Sequence, residues 1–349
     1  MSEKIDQSRQ IINIEAWSGA GKSTLASLLD GHPDIFCSPV HDAIIPALLQ
    51  HNQLPNWLAT GETEYLRNYL CRSYYYRIEY FARIKKIGFP ISGKDDDWCL
   101  ISFPLDFYKF EEKWNMLLDQ RAGDIRVYDI LYFIYDSMAE CLGMEPGKHI
   151  ASMGVASFDL AQLIKHSEKI RTLHIRRPIK DIFATRVNRK NHPFRGNSIR
   201  QGFTGDFSKR LIDGEVEKIS LYYEAVDRAV AERPDKVLIV DFDEMVLESP
   251  TAMQKIARFL DIEYTDTLIR PTMLGCPLIG TGGSAVLGQV NDSASNSLSP
   301  TEINLIQLMA FLSRLHRVRA SPLAINRFIA GLAKNIKQIV QNRKNRFAR

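Results

Sequence analysis

Short β-branched apolar runs alternate with amphipathic stretches along this chain, and the sharpest of them comes first. Ile11, Ile12 and Ile14 predict a buried strand, and Leu25, Leu28 and Leu29 recur at helical spacing just beyond it. Gly31-His32-Pro33-Asp34 marks a turn, after which Ile35-Phe36-Cys37 predicts a second strand ending at Ser38-Pro39. Further strands are predicted over Arg171–Ile175 and Val237–Val240, followed by helices from about Lys180 and over 250–260. Strands joined through helices pair in parallel by right-handed crossovers, so the pattern predicts an α/β fold with a parallel sheet flanked by helices.

The rest of the pattern is helical or irregular. Residues 62–87 read as an amphipathic helix carrying Tyr65, Tyr69, Tyr74, Tyr75, Tyr76, Tyr80 and Phe81. The stretch 92–122 opens with the polar Ser92-Gly93-Lys94-Asp95-Asp96-Asp97, a solvated loop, and 125–142 reads as another apolar helix. Together these form a helical insertion, 55–145, in a single domain spanning 1–349. A glycine-rich loop is predicted from Gly275 to Gly288. Ser299-Pro300-Thr301-Glu302 then opens a helix, with serine as N-cap, proline first and glutamate three residues on. The basic stretch 322–349 predicts a helical C-terminus, and no internal repeat is visible.

Composition narrows the function. The chain has 349 residues and a formal net charge of +4, too modest to suggest a dedicated nucleic-acid binder. Its five cysteines lack metal-type pairing and read as reduced thiols. The first ten residues are polar, unlike an export signal, and no apolar run reaches the roughly 18 to 20 residues of a membrane span. The expected location is cytoplasmic.

Chemistry concentrates between the first strand and helix. Gly19 and Gly21 let the backbone curl so that successive N–H groups face one point, and the helix N-terminus adds its partial positive charge. Gly19, Ala20, Gly21, Lys22, Ser23 and Thr24 are therefore candidate phosphate-binding residues of a P-loop-type sheet. The segment departs from Gly-x-x-x-x-Gly-Lys-[Ser/Thr] in one respect, since Ala16 stands where the first glycine belongs. His41 and Asp42, just past the second predicted strand, fall on the same sheet edge, as do Arg176 and Arg177.

Taken together, these segments resemble the sulfotransferase family that uses 3′-phosphoadenosine 5′-phosphosulfate (PAPS), over roughly residues 10–310. Ala16 to Pro33, with its Leu28-Leu29-Asp30-Gly31-His32-Pro33-Asp34 ending, is similar to the family's phosphosulfate loop, helix and turn. Arg177 and Thr185 resemble the arginine and serine that bind the 3′-phosphate. Val237 to Met245 with Pro250 and Ala257-Arg258-Phe259-Leu260 resembles the family's strand, acidic turn and helix. Arg270-Pro271-Thr272 with Gly275 and Gly280 to Ser284 looks like the late loop of carbohydrate-directed members. Two departures stand out in the first loop: Gly19 replaces the usual lysine or arginine, and Lys22 replaces threonine. Pro178 also sits one place early, so Arg176 shares or takes over the phosphate contact.

The resemblance implies sulfonate transfer to a hydroxyl of a carbohydrate or glycolipid, with no metal. Lys22 is the candidate cation for the departing bridging oxygen, and His41 or Asp42 the candidate base, with His41 preferred because an unperturbed imidazole titrates near neutrality whereas a carboxylate would need burial to shift it. The insertion would cover the acceptor site. The main rival is a P-loop kinase using ATP and Mg²⁺, in which Asp241 would hold the ion through water. A second is a non-catalytic membrane-surface protein using 322–349, a stretch that would equally give an enzyme peripheral contact with a lipid-linked glycan.

Overall fold

The computed structural model describes residues 9–41, 87–90, 98–101, 112, 116, 132, 135–137, 139–140, 143–154, 169–188, 214–273, 275–277, 287–288 and 298–318. In chain order the strands are β1 (Ile11–Glu15), β2 (Ile35–His41), β3 (Ile87–Pro90), β4 (Trp98–Ile101), β5 (His149–Met153), β6 (Ile170–Arg176) and β7 (Val237–Asp241). Two-residue strands β8 (Thr272–Met273) and β9 (Cys276–Pro277) follow. The helices are α1 (Lys22–Leu29), α2 (Ile179–Asn188), α3 (Glu215–Glu232), α4 (Phe242–Leu247), α5 (Ser249–Leu260) and α6 (Pro300–Val318).

Five strands form a parallel sheet in the order β2-β5-β1-β6-β7. The chain is thus an α/β protein with β1 at the centre, as the apolar pattern predicts. One member was not legible in the sequence: β5, His149-Ile150-Ala151-Ser152-Met153, is buried throughout but mixes small and polar residues with only two large apolar ones. It lies between β1 and β2, so those two strands are parallel without being neighbours. β2 also runs further than its apolar run suggests, through Pro39 to His41, with a register shift between Cys37 and His41. An edge strand at an irregularity is where a proline, lacking the N–H for a ladder bond, is tolerated.

Register shows which helices cover which face. Cys37, Ala151, Ile12 and Arg171 form one lateral row. On this face the Cys37 thiol donates to the Ala26 carbonyl of α1 at 3.4 Å. Arg171 and Gln10 donate to the Phe259 and Leu260 carbonyls at the end of α5. The opposite row holds Asn13, Ser152 and Thr172, where the Tyr135 hydroxyl donates to Ser152 Oγ at 2.9 Å. The described helical residues between 132 and 140 therefore cover the second face.

α5 shows how sequence drives this packing: Ala252, Met253, Ile256, Ala257 and Leu260 repeat at helical spacing and are all buried. Its end is closed by Asp261 in the left-handed region, φ 56°, with the Ile262 amide reaching the Ala257 carbonyl at 3.1 Å. On α1, Leu25, Leu28 and Leu29 are fully buried, each contributing about 1.5–3 kcal/mol by leaving water.

The chain forms two compact units. The first, residues 1–177 with 225–291, holds the sheet, α1, α4, α5 and the end of α3. The second, residues 178–224 with 292–349, holds α2, the start of α3 and α6. Within it α6 packs against α2. α6 opens with the reciprocal cap that its sequence predicts: Glu302 accepts from the Ser299 amide at 2.8 Å, and Ser299 Oγ accepts from the Glu302 amide at 3.3 Å.

Within 55–145 the described residues include an antiparallel pair, β3 with β4, that a helical reading of the insertion does not contain: β3 starts where the predicted helix 62–87 ends, and β4 follows the polar stretch 92–97. Gly88 and Pro90 disfavour helix, and Trp98-Cys99-Leu100-Ile101 is aromatic and β-branched. The aromatic positions 65–81 and the basic stretch 322–349 lie outside the described residues. Among the described residues no helix is long and apolar enough to cross a membrane.

Candidate functional site

The carboxyl ends of the five strands define the site. β1 connects through α1 to β2 on one side, whereas β5 leads on to β6 on the other, so the chain changes direction at the end of β1. A crevice at such a point is where open parallel sheets bind ligands. The phosphate-loop candidate, residues 16–23, stands there.

Its conformation depends on two glycines. Gly19 and Gly21 have φ of 99° and 110°, a region that side chains disfavour. Among the described non-glycine residues only Asp261 has positive φ, so Ala16 sits where a side chain is tolerated and its departure from the glycine pattern carries no backbone strain. The Ala20 amide donates to the Trp17 carbonyl at 3.0 Å, tightening the turn. Gly21 is the N-cap of α1 and brings no side chain to cap it. An anion is what physically suits such a helix start. Ala20 and Thr24 are buried and their amides donate to the Trp17 and Gly21 carbonyls, both at 3.0 Å, while Lys22 and Ser23 remain half-exposed.

Lys22, the first residue of α1, turns back over the sheet edge. Its Nζ donates to the Gly154 carbonyl, just past β5, at 2.5 Å. Gly154 is itself fixed, because its amide donates to the Ile14 carbonyl of β1 at 3.0 Å. A Cβ there would stand 2.6 Å from Asn13 Oδ1, so any larger residue would push the Asn13 amide aside. Nothing in the sequence around Gly154 marks it, since its role depends on β5 being next to β1.

The two arginines at the end of β6 part company. Arg177 is buried at 7% exposure; its Nη1 donates to the Gly19 carbonyl at 3.2 Å, and its guanidinium lies 4.4 Å from the centre of the Phe242 ring. Arg176 faces the other way and pairs with Asp227 of α3 at 2.6 Å. Alternation along β6 separates them, as Arg176 shares the face of Thr172 and His174. His174, fully buried, has its pKa pushed down to about 3 by burial and then by Arg176, so it stays neutral inside the sheet.

The remaining candidates divide. His41 is the last residue of β2 rather than a residue beyond it, in register with Met153. β2 lies two strands from β1, about 10 Å at roughly 4.8 Å per spacing. Asp42 lies outside the described residues. Thr185 lies on α2, in the second unit, and Arg177 closes a segment of the first. Asp241, the rival reading's metal holder, caps α4: its Oδ1 accepts from the amides of Asp243 and Glu244 at 2.9 and 3.0 Å. It ends β7, two strands from β1, and the strands beside β1 end in Met153 and Arg176, neither a carboxylate. Among the described residues no three His, Cys, Asp or Glu side chains converge on a common point.

No family model and no curated protein matches this chain. Solved structures do. The sulfotransferase domain of the Synechococcus PCC 7002 olefin synthase covers 90% of this chain and 90% of its own length, at 13% identity and a TM-score of 0.37. The sulfotransferase domain from the curacin biosynthetic pathway covers 86% and 97%, at 13% identity and a TM-score of 0.43. A sulfotransferase from Alicyclobacillus acidocaldarius covers 86% and 91%, at 13% identity and a TM-score of 0.41. The chain is similar to sulfotransferases of known structure. At these identities and TM-scores, the roles of individual residues rest on this chain's own geometry.

Proposed function

We propose that this chain transfers a sulfonate group from PAPS to a hydroxyl of a carbohydrate or glycolipid acceptor. The observation that carries the reading is Lys22, the lysine of a two-glycine loop, held against the Gly154 carbonyl at the chain's change of direction. The sequence resemblance supplies the identity of the donor.

In this reading the loop holds the 5′-phosphate of the donor. Its backbone N–H groups and the start of α1 suit an anion of compact size, with Ser23 beside them. In the transfer, the bond between sulfur and the bridging oxygen breaks as the acceptor oxygen bonds to sulfur. Negative charge grows on the leaving oxygen, and the Lys22 ammonium stabilises it. The acceptor's proton passes to a base on the opposite side, for which His41 and Asp42 are the candidates. Arg177 reads the 3′-phosphate: a guanidinium has five N–H donors, enough to hold Gly19 and an anion together. Arg176 and Thr185 are the accessory candidates for the same phosphate.

No metal takes part in this scheme. The proposed enzyme is cytoplasmic, and the basic stretch 322–349 gives it peripheral contact with a membrane that carries a lipid-linked glycan. Calorimetry tests the donor: low-micromolar binding of 3′-phosphoadenosine 5′-phosphate without Mg²⁺ is expected, and tight binding of Mg-ATP alone would overturn the proposal. Incubation with radiolabelled donor and a cell extract, followed by identification of the labelled product, tests the acceptor.

A further inference from the structure

The geometry points to Phe242 as a positioning residue that shapes the phosphate loop from beneath. Three contacts meet at its ring. A Cβ on Gly21 would overlap the ring edge at Cδ2 and Cε2, so the backbone of the loop lies directly on the aromatic surface. The Arg177 guanidinium lies over the ring, 4.4 Å from its centre, at a distance suited to cation–π attraction. The same arginine donates to the Gly19 carbonyl at 3.2 Å. Ring, guanidinium and both positive-φ glycines thus form one packed unit.

Phe242 is itself held. It is the first residue of α4, and Asp241 fixes the start of that helix by accepting from the Asp243 and Glu244 amides. β7 pairs with β6 so that Asp241 is in register with Arg176, the residue before Arg177. The chain of support therefore runs from the β6–β7 ladder through the Asp241 cap to the Phe242 ring, and from the ring to Gly21 and Arg177. The second glycine is required twice over, by its φ of 110° and by the ring. A loop so packed has its N–H groups arranged before an anion arrives, and this preorganisation is where ring and affinity connect.

The inference rests on the loop being the anion cradle proposed above, and the test separates the two. Amide exchange of the full chain without ligand reads the loop directly. Phe242→Ala is expected to speed exchange of the Ala20, Thr24 and Leu25 amides, which donate to the Trp17 and Gly21 carbonyls, at least tenfold, with those of 250–260 unchanged and unfolding still cooperative. Phe242→Tyr, which keeps the flat face, is expected to restore the native rate. Should Phe242→Ala not fold, Phe242→Leu keeps apolar bulk without a π-face and is expected to speed loop exchange at least threefold. Gly21→Ala is expected to perturb the loop at least threefold less when Phe242 is already alanine, because one clash has been removed. In parallel, affinity for 3′-phosphoadenosine 5′-phosphate is expected to fall about tenfold in Phe242→Ala and return in Phe242→Tyr. Native loop exchange in both the alanine and leucine variants, or additive effects of Gly21→Ala and Phe242→Ala, would overturn the inference. A wild-type chain that fails to bind the nucleotide, with the exchange results as expected, sinks the donor assignment and leaves the role of Phe242 standing.

Discussion

The two edges of the central sheet carry similar residues in opposite service. At the amino ends of the strands, polar side chains stitch together segments far apart in sequence. Asp30, just past α1, accepts from Thr272 Oγ1 and the Gly275 amide, both at 2.9 Å. His32 Nδ1 accepts from the Asp34 amide, so Nε2 carries the proton and donates to the Glu263 carbonyl at 2.8 Å. Arg9 pairs with Asp136 and stacks on Tyr132. At the carboxyl ends, the charged heads of Lys22 and Arg177 reach backbone carbonyls of the loop region instead. A charge-assisted bond to an anion is stronger than one to a neutral carbonyl, so under the proposed function these two cations gain more from a phosphate than from the carbonyls they touch. One edge ties distant segments together, and the other carries the cations that the proposal assigns to the donor.

That contrast predicts which substitutions cost chemistry and which cost stability. Lys22→Ala should lower turnover about 1,000-fold, about 4 kcal/mol of transition-state stabilisation, while the melting temperature stays within about 2 °C. Steady-state rates beside thermal melts check this, and retained turnover would remove Lys22 from the leaving-oxygen role.

Acid should act through two buried histidines, His174 within β6 and His149 at the amino edge. His149, which begins β5, is 2% exposed with neither ring nitrogen hydrogen-bonded, and its pKa falls to about 4 through burial and then Lys148, with His32 and Arg171 adding and Asp34 opposing. The unfolded chain therefore binds a proton more readily between about pH 6.5 and 4. Its contribution is fully present above about pH 6.5 and lost as pH falls towards 4, about 3 kcal/mol in all. Urea melts at pH 7 and 4.5 should show that loss on top of the one from His174, and His149→Leu should remove its share of the slope.

Asp30→Ala breaks the stitch to Thr272 and Gly275 and should cost about 1–3 kcal/mol, with nucleotide affinity unchanged. Calorimetry paired with denaturant melts would expose any cost to binding. Arg176→Ala should be the mildest for stability, under about 1 kcal/mol, because the pair with Asp227 is 30% and 55% exposed. A larger loss in the melt would mean that Arg176 supports the end of β6 beyond its ion pair.

Much of this was written locally. The Ile11–Ile14 run, the Gly19–Ser23 loop, the cap at Ser299 and the periodicity of 250–260 each became the element that its pattern predicts. β5 was not legible, because Ala151 and Ser152 have little strand propensity of their own and are buried by neighbours on both sides. Phe242 was equally silent, one aromatic among the acids of Asp241-Phe242-Asp243-Glu244. His41 was legible as a residue near the sheet edge, but its spacing from β1 depended on the strand inserted between.

By itself, the sequence determined that a glycine-containing loop would join a buried strand to a helix, since backbone freedom and helix start are properties of a few consecutive residues. Only the tertiary structure decided which arginine turns inward and what Lys22 rests on. Those outcomes follow from strand order and register, and register assigns each side chain to a face through partners more than a hundred residues away.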